Sequence, residues 1–346
     1  MNNEVQLNLL ETTLKQYREN TIKSILTALP SKEPKKYLYD YLASYFNKGG
    51  KGIRSGLCIA TCRALGGNYK KAMNSAAIIE LLHNSFLIRD DIEDASEFRH
   101  GKSALYIELG VGNALNLSDA MNALSVRMMM NNRSVLGSEM SWEIFSEIEH
   151  MVSQTVEGQA IELGWIKDNI IELTEDDYLR MVLKKTSWYT TIHPCRIGAL
   201  IALGSDYCLD NFNHFGCYLG AAFQIQDDIL NLIGDYKKYR KEICGDILEG
   251  KRTVMLIHTL NQCTEAEKKR IQIFLGKSRN NRTPKDVELV LKLMKRYDSI
   301  EHARSCSRQL AGAALLEFYT AYKDAPDSND KSLLYSMVMY IIERNK

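Results

Sequence analysis

Two clusters of acidic residues lie far apart in this chain, at residues 90–94 (DDIED) and 227–231 (DDILN). Residues four apart on a helix share a face, so Asp90 would lie over Asp94 and Asp227 over Asn231. Like charges at this spacing repel unless a cation lies between them. Ligand sets made only of oxygen favour a hard ion such as Mg²⁺, which is commonly shared with the phosphates of a substrate.

Basic residues accompany these clusters and complete the chemistry. They lie close in sequence to apolar, glycine-rich or acidic helical segments, at Lys51, Arg54, Arg99, Lys185, Lys241 and Lys251. Carboxylate-bound Mg²⁺ with several cations around it predicts a site for a diphosphate. The alternative is a solvated acidic helix end, but apolar residues continue along the chain up to Asp90, so we expect the carboxylates at the end of a buried helix.

The elements that position these residues are predicted to be helices. Apolar residues recur at three- and four-residue spacing almost throughout, and no stretch alternates with period two for long. We predict an all-α protein with a single domain over residues 1–346, an antiparallel helical bundle around a central cavity. The predicted helices are 4–28, 35–47, 51–66, 69–92, 104–131, 138–163, 174–204, 208–233, 251–261, 264–276, 284–296, 298–321 and 328–344. Pro194 predicts a kink near Lys185–Arg196.

The composition excludes several classes of protein. The net charge of the 346-residue chain is +1, with 25% charged residues, so no strong field would attract nucleic acid or an anionic membrane. Eight cysteines show no zinc-finger spacing and predict a reducing compartment. The amino terminus resembles neither a signal nor a transit peptide, and no apolar run is long enough to span a bilayer. We therefore expect a cytoplasmic protein.

Six motifs occur in an order that resembles a known family. They are GGKGIRS, ELLHN, DDIED followed by Arg99, KTSWYT, FQIQDD and GDILEGKRT, within residues 45–260. They resemble those of the trans-isoprenyl diphosphate synthases, most closely the geranylgeranyl diphosphate synthases. The resemblance implies a homodimer that condenses isopentenyl diphosphate head to tail with an allylic diphosphate. It also implies about three Mg²⁺ ions per site, for which Mn²⁺ can substitute.

The resemblance also implies a role for individual residues. The magnesium ligands would be Asp90, Asp91, Asp94, Asp227, Asp228 and Asn231. The isopentenyl diphosphate would be bound by Lys51, Arg54, His83 and His100. The allylic diphosphate would be bound by Arg99, Lys185, Thr186, Gln224, Lys241 and Lys251. The alternative for His83 is ordinary core packing, which is more common for a lone histidine on a helix.

The family pattern is broken at His100, where most members have a second arginine. An imidazole carries a charge only part of the time near pH 7 and cannot make a forked contact. The loss of one charge-assisted contact would cost about 1.5–3 kcal/mol of binding. Two alternatives therefore stay open: a terpene cyclase acting on an allylic diphosphate alone, and a non-catalytic regulatory subunit of a prenyl diphosphate synthase. The retained Lys51, Arg54 and His83 favour chain elongation.

Product length is predicted from Phe86 and Ser85, four and five residues before Asp90. At 1.5 Å per residue they lie about 6 Å deeper along the helix. In the family, bulky aromatics at both positions stop growth at fifteen carbons. One large and one small residue predict twenty carbons, unless Phe86 is an ordinary core residue.

Overall fold

The computed structural model describes residues 3–46, 49–99, 101–234 and 243–343. It confirms the all-α fold. The helices are α1 Asn3–Ala28, α2 Asp40–Tyr45, α3 Ile53–Ala64, α4 Tyr69–Glu93, α5 Leu105–Leu109, α6 Val111–Leu136, α7 Ser138–Lys167, α8 Glu175–Val182, α9 His193–Leu203, α10 Asn211–Ile233, α11 Gly245–Glu249, α12 Val254–Gln262, α13 Glu265–Leu275, α14 Pro284–Arg296, α15 Ser299–Ala321 and α16 Asn329–Glu343. Two π-helical segments (Lys35–Tyr39 and Leu183–Ile192) and a 3₁₀ turn (Arg279–Asn281) are also present.

Helix α10 lies at the centre of the bundle. It packs against α15 and the segment Leu183–Ile192, while α4 packs against α3 and α6. Phe215 of α10 belongs to one buried hydrophobic cluster and Ile229 to a second. Burial of these apolar faces fixes the bodies of α4 and α10, and both acidic clusters lie near the carboxyl ends of these helices.

The predicted helix 174–204 consists of three segments. Helix α8 is followed by the π-helical segment Leu183–Ile192 and then by α9. Pro194 lies in the first turn of α9, where a proline is tolerated, and the α-helical pitch already changes at Leu183. The departure from regular helix is therefore near Lys185 as predicted, but its form is a π-helix rather than a proline kink.

Two glycines allow this segment to lie close to its neighbours. A Cβ atom at Gly158 of α7 would overlap the backbone of Lys185, and one at Gly220 of α10 would lie 2.5 Å from the hydroxyl of Ser187. The segment is thus held between α7 and α10, which points Lys185 into the bundle.

The predicted helix 104–131 is interrupted. Gly110 adopts a φ of 80°, a conformation that glycine reaches without strain, and it separates α5 from α6. A short hairpin precedes α5, in which β1 Phe98–Arg99 pairs antiparallel with β2 Lys102–Ser103. The hairpin was not predicted, because two-residue strands leave no periodicity. In the described part of the chain, no helix combines the length and the apolar character needed to cross a bilayer.

Candidate active site

A cavity of about 1390 Å³ lies inside the bundle. Its walls come from α4, α6, α7, α10, the segment Leu183–Ile192 and the loop at residues 49–52. Most of the predicted site residues line it, namely Lys51, Arg54, His83, Phe86, Asp90, Arg99, Lys185, Thr186, Gln224, Asp227, Asp228 and Lys251. His100 and Lys241 lie outside the described residues.

The first acidic cluster is paired with basic residues of the site. Arg99, held by the hairpin, donates from Nε to Asp91 Oδ1 (2.8 Å) and from Nη2 to Asp90 Oδ2 (3.1 Å). Lys185 Nζ lies 3.5 Å from Asp90 Oδ1. Asp91 is almost fully buried, whereas Asp90 keeps a partly exposed carboxylate at the cavity wall. Arg99 and Lys185, two of the cations predicted to bind the allylic diphosphate, therefore lie at the first acidic cluster.

Asp94, at the end of α4, contacts Lys251, which follows the second acidic cluster in the sequence. Lys251 Nζ lies 2.6 Å from Asp94 Oδ2, 2.7 Å from Glu249 Oε2 and 3.8 Å from Asp246 Oδ1. Burial raises the pKa of Asp94, although the charge of Lys251 opposes the shift. A buried carboxylate of this kind gains most from an additional positive charge.

The second cluster is held by a chain of hydrogen bonds. The hydroxyl of Thr186 donates to Gln224 Oε1 (2.9 Å), and Gln224 Nε2 donates to Asp228 Oδ1 (2.8 Å). The hydroxyl of Tyr178 donates to Asp228 Oδ2 (2.7 Å). Burial raises the pKa of Asp228 against the lowering effect of these donors. Thr186 and Gln224, which were predicted to bind the allylic diphosphate, thus also orient a carboxylate.

Asn231 is not among the residues that line the cavity. Its Oδ1 accepts a hydrogen bond from the backbone N–H of Asp246 (3.0 Å), and its carbonyl accepts one from the N–H of Cys244 (2.7 Å). Both bonds hold the start of α11, next to Asp246. Because its amide oxygen is used by the backbone, Asn231 is left out of the ligand set proposed below.

Residues of both acidic clusters line the same cavity. Lys185 forms ion pairs both with Asp90 of α4 and with Glu162 of α7, and the charge of Glu162 is felt by Asp228. Lys251 joins Asp94 to Asp246 in the same way. Shared cations therefore link the carboxylates of α4 to those of α7 and α11, and Asp90, Asp227 and Asp228 line the same cavity.

The loop before α3 carries a separate basic site. Gly49 and Gly50 both have a φ of 116°, and Arg18 Nη2 donates to the carbonyl of Gly49 (2.7 Å). Lys51 Nζ donates to the hydroxyl of Tyr340 (2.9 Å). Positive φ values at the glycines shape a turn that presents Lys51 at the cavity.

Arg54 occupies a preformed position beside His83. Its Nη1 lies 3.2 Å from His83 Nε2, and its Nη2 donates to the hydroxyl of Tyr189 (2.7 Å). The guanidinium carbon also lies 4.4 Å from the centroid of the Tyr189 ring, a cation–π contact. The structure thus brings together Arg54 and His83, two of the residues predicted to bind isopentenyl diphosphate.

The two residues predicted to set product length point in different directions. Phe86 lines the cavity and packs against Tyr189 edge to face, with ring centroids 5.8 Å apart. Ser85 is fully buried, and its hydroxyl lies 2.8 Å from Ser118 Oγ of α6. The expectation that Ser85 faces the cavity is therefore wrong, because its hydroxyl is satisfied between two helices. Met129 of α6 lines the cavity as well.

Several residues of the site were not predicted from the sequence. Glu162, Tyr178 and Tyr189 act through contacts between helices that are distant in sequence. Arg252 is almost fully buried and donates to the carbonyl of Ile170 (3.0 Å), which anchors the segment that carries Lys251. Tyr189 lies inside the motif KTSWYT and could have been considered with Lys185.

The all-α bundle, with two acidic helix ends and a basic loop around one cavity, has the arrangement that the sequence predicted for a diphosphate site. The chain belongs to the polyprenyl synthetase family, whose sequence model matches residues 35–294. It is similar to geranylgeranyl diphosphate synthase of Sulfolobus acidocaldarius, with 32% identity over 311 residues (89% of this chain, 88% of that protein). It is also similar to octaprenyl diphosphate synthase of Escherichia coli K12, with 27% identity over 301 residues (86% and 87%).

The fold is shared with solved structures of such synthases. Geranylgeranyl pyrophosphate synthetase from Pyrococcus horikoshii Ot3 aligns with a TM-score of 0.84 and 28% identity, covering 97% of this chain and 98% of that one. The resemblance seen in the sequence is therefore confirmed, and the chain is a prenyltransferase of this family. Members of the family use isoprenyl diphosphate substrates and a divalent metal.

Proposed function

We propose that the chain catalyses Mg²⁺-dependent head-to-tail (1′–4) condensation of isopentenyl diphosphate with an allylic diphosphate, giving geranylgeranyl diphosphate. One observation carries the proposal. A single cavity is lined both by the acidic residues Asp90 and Asp227 and by the basic residues Lys51 and Arg54. Two diphosphates can then be held in one cavity by chemically different means.

The donor set fits a hard divalent ion. The ligands proposed for about three Mg²⁺ ions are carboxylates alone, from Asp90, Asp91, Asp94, Asp227 and Asp228. Mn²⁺, which also accepts oxygen ligands, is the expected substitute. When bound, these ions offset the charge that develops on the leaving diphosphate.

The cations that pair with the carboxylates bind the allylic diphosphate in this proposal. Arg99 and Lys185 each contact Asp90, and Lys251 contacts Asp94. Arg99, Lys185 and Lys251 would be released from these ion pairs if bound metal ions neutralised the carboxylates, and would then be available to the substrate's oxygens. The basic side chains, which are neutralised by the protein's own carboxylates in the ion pairs, would then complement the dianionic or trianionic diphosphate of the substrate.

The remaining residues position the second substrate and exclude water. Lys51 and Arg54 bind the diphosphate of isopentenyl diphosphate, with His83 beside them. The allylic C–O bond breaks, and the diphosphate leaves with the electron pair. The double bond of isopentenyl diphosphate forms the new C–C bond, and a proton is lost to the diphosphate. Phe86 and Met129 supply apolar wall for the growing chain.

A terpene cyclase would use the same acidic clusters without a second diphosphate site. The preformed Arg54, held by Tyr189, argues for the synthase. The test incubates the protein with dimethylallyl, geranyl or farnesyl diphosphate, with and without isopentenyl diphosphate, in Mg²⁺ or EDTA, and identifies products by mass. We expect release of diphosphate only with both substrates and Mg²⁺. A hydrocarbon or alcohol from the allylic substrate alone would favour the cyclase, and no product would favour a regulatory subunit.

We also propose a homodimer. Four apolar side chains are exposed along one face of α6, at Val111, Leu115, Val126 and Met130. Their spacing of four and eleven residues keeps them on one side of the helix. In this proposal a second copy of the chain covers this stripe.

A cytoplasmic location stays a prediction.

Replacing Phe86 by alanine is expected to lengthen the product beyond twenty carbons. The phenyl ring is part of the cavity wall near Tyr189, and its removal opens about one helical turn, roughly 5.4 Å, of additional depth. The measurement is the product distribution by mass after reaction with farnesyl and isopentenyl diphosphate. Tyr319→Ala, an exposed aromatic on α15, is the control. An unchanged distribution in F86A would place Phe86 in ordinary core packing.

A further inference from the structure

Three side chains of different metal-binding chemistry meet away from the cavity. Glu175 is the first residue of α8, and His302 and Cys306 lie one turn apart on α15. Their ligand atoms all lie within 4.8 Å of one another. His302 Nε2 is 2.7 Å from Glu175 Oε1 and 3.5 Å from Cys306 Sγ, and Cys306 Sγ is 4.0 Å from Glu175 Oε2. The three donor atoms thus surround one point.

This geometry does not suit a nucleophilic relay. In a Cys–His–carboxylate relay, the thiol and the carboxylate contact different ring nitrogens of the histidine. Here both Cys306 and Glu175 approach the same atom, His302 Nε2. Burial also raises the pKa of the Cys306 thiol, so it is not an activated thiolate. Convergence on a single point is the requirement for coordination of an ion.

We propose that Glu175, His302 and Cys306 form a Zn²⁺ site with a fourth position open to water. Thiolate, imidazole and carboxylate together favour Zn²⁺ over Mg²⁺, which prefers oxygen ligands alone. Binding releases the thiol proton of Cys306 to solvent. The side chains of Glu175 and His302 are 38% and 33% exposed, so an ion can enter. The three residues are not among those that line the cavity proposed for prenyl transfer.

A neighbouring histidine orients the central ligand. The ring of His258, on α12, stacks on that of His302 with centroids 4.0 Å apart and planes 18° from parallel. His258 Nδ1 lies 2.9 Å from Ser299 Oγ, which fixes the His258 ring in turn. The plane of the His302 ring is therefore held, and a preoriented ligand loses less entropy when it binds a metal.

The site would also connect two helices that support the cavity. Glu175 lies one turn before Tyr178, whose hydroxyl donates to Asp228 of α10. A metal ion shared by α8 and α15 would fix α8 and, through Tyr178, the orientation of this carboxylate. The expected consequence is a higher Tm when Zn²⁺ is bound.

The experiment titrates the metal-free protein with Co²⁺ and Zn²⁺. Co²⁺ bound to a thiolate gives a sulfur-to-metal charge-transfer band, which carboxylate-bound Co²⁺ at the acidic clusters does not. We expect one equivalent of Co²⁺ to produce the band, Zn²⁺ to displace it, and Zn²⁺ to raise Tm. Cys306→Ser should abolish the band, and His302→Ala should weaken Zn²⁺ affinity by more than about tenfold, since even an outer-shell partner is worth 10–100-fold.

The control addresses the other candidate thiol. Cys244 lies two residues before Asp246, close to the second acidic cluster. Cys244→Ser should keep the band and the Zn²⁺-dependent rise in Tm. A band lost in C244S but kept in C306S would overturn the proposal, as would the lack of any thiolate band in the unaltered protein. Circular dichroism of the metal-free variants establishes that each is folded, and Glu175→Gln serves as a further ligand variant if C306S is not.

Discussion

Replacing Asp90 by asparagine is expected to lower kcat/KM for both substrates by at least about 10²–10³-fold, the range seen when one group that stabilises transition-state charge is removed. Asp90 is the aspartate of the first cluster that lines the cavity, and Arg99 and Lys185 both contact it. Asparagine keeps the size of the side chain but removes its charge, so both ion binding and the placement of these two cations are weakened.

The measurement is steady-state condensation over a range of Mg²⁺ concentrations. The Mg²⁺ concentration for half-maximal activity should also rise in Asp90→Asn, because a ligand has been removed. The matched control is Asp119→Asn, which removes a carboxylate that pairs with Arg89 but is 63% exposed on α6. The control should stay within about twofold of the unaltered protein, as expected for an exposed ion pair. Wild-type activity in D90N would remove the metal argument.

The acidic clusters were predictable because their signal is local. Each cluster follows an apolar helical run in sequence, and the burial of such a run fixes where its acidic end must lie. Asp90 and Asp227 accordingly line the same cavity. The spacing of the acids and the helical periodicity before them are both visible among neighbouring residues, so this part of the site was predictable from the sequence.

The orientations of single side chains depended on partners from elsewhere. Asn231 has the spacing of a ligand, yet the backbone of α11 uses its amide oxygen. Ser85 has the spacing of a cavity residue, yet its hydroxyl bonds to Ser118. In both cases a buried polar group turned towards the nearest donor or acceptor, because leaving it unsatisfied costs about 1–3 kcal/mol. Helical periodicity does not identify such partners.

The π-helical segment Leu183–Ile192 shows a third limit. Its residues have ordinary helical spacing, and Pro194 suggested a kink of another kind. The segment is set by close contact with glycines of α7 and α10, including Gly158. Such contacts belong to the packed bundle, yet they determine where Lys185 and Tyr189 point. Tyr189 in turn holds Arg54, which makes the proposed second substrate site depend on this packing.

Replacing Arg54 by alanine is expected to raise KM for isopentenyl diphosphate by about 10–100-fold, the value of one lost charge-assisted contact of 1.5–3 kcal/mol. KM for the allylic substrate should change much less, because its proposed ligands Arg99, Lys185 and Lys251 are unaltered. The KM of Arg54→Lys for isopentenyl diphosphate should lie between that of the unaltered protein and that of Arg54→Ala, because lysine keeps the charge but loses the planar fork that Tyr189 orients.

The discrimination between the two substrates is what separates a binding role from a structural one. If Arg54 had only a structural role, losing its contact with Tyr189 would change the cavity as a whole. Both KM values would then rise together, and Tm would fall. The matched control is Arg296→Ala, which removes another guanidinium, 5.5 Å from the ring centroid of Tyr297 on an exposed surface. R296A should leave both KM values within about twofold. Equal effects of R54A on the two substrates would mean that Arg54 supports the fold of the loop at residues 49–52 and does not itself bind isopentenyl diphosphate.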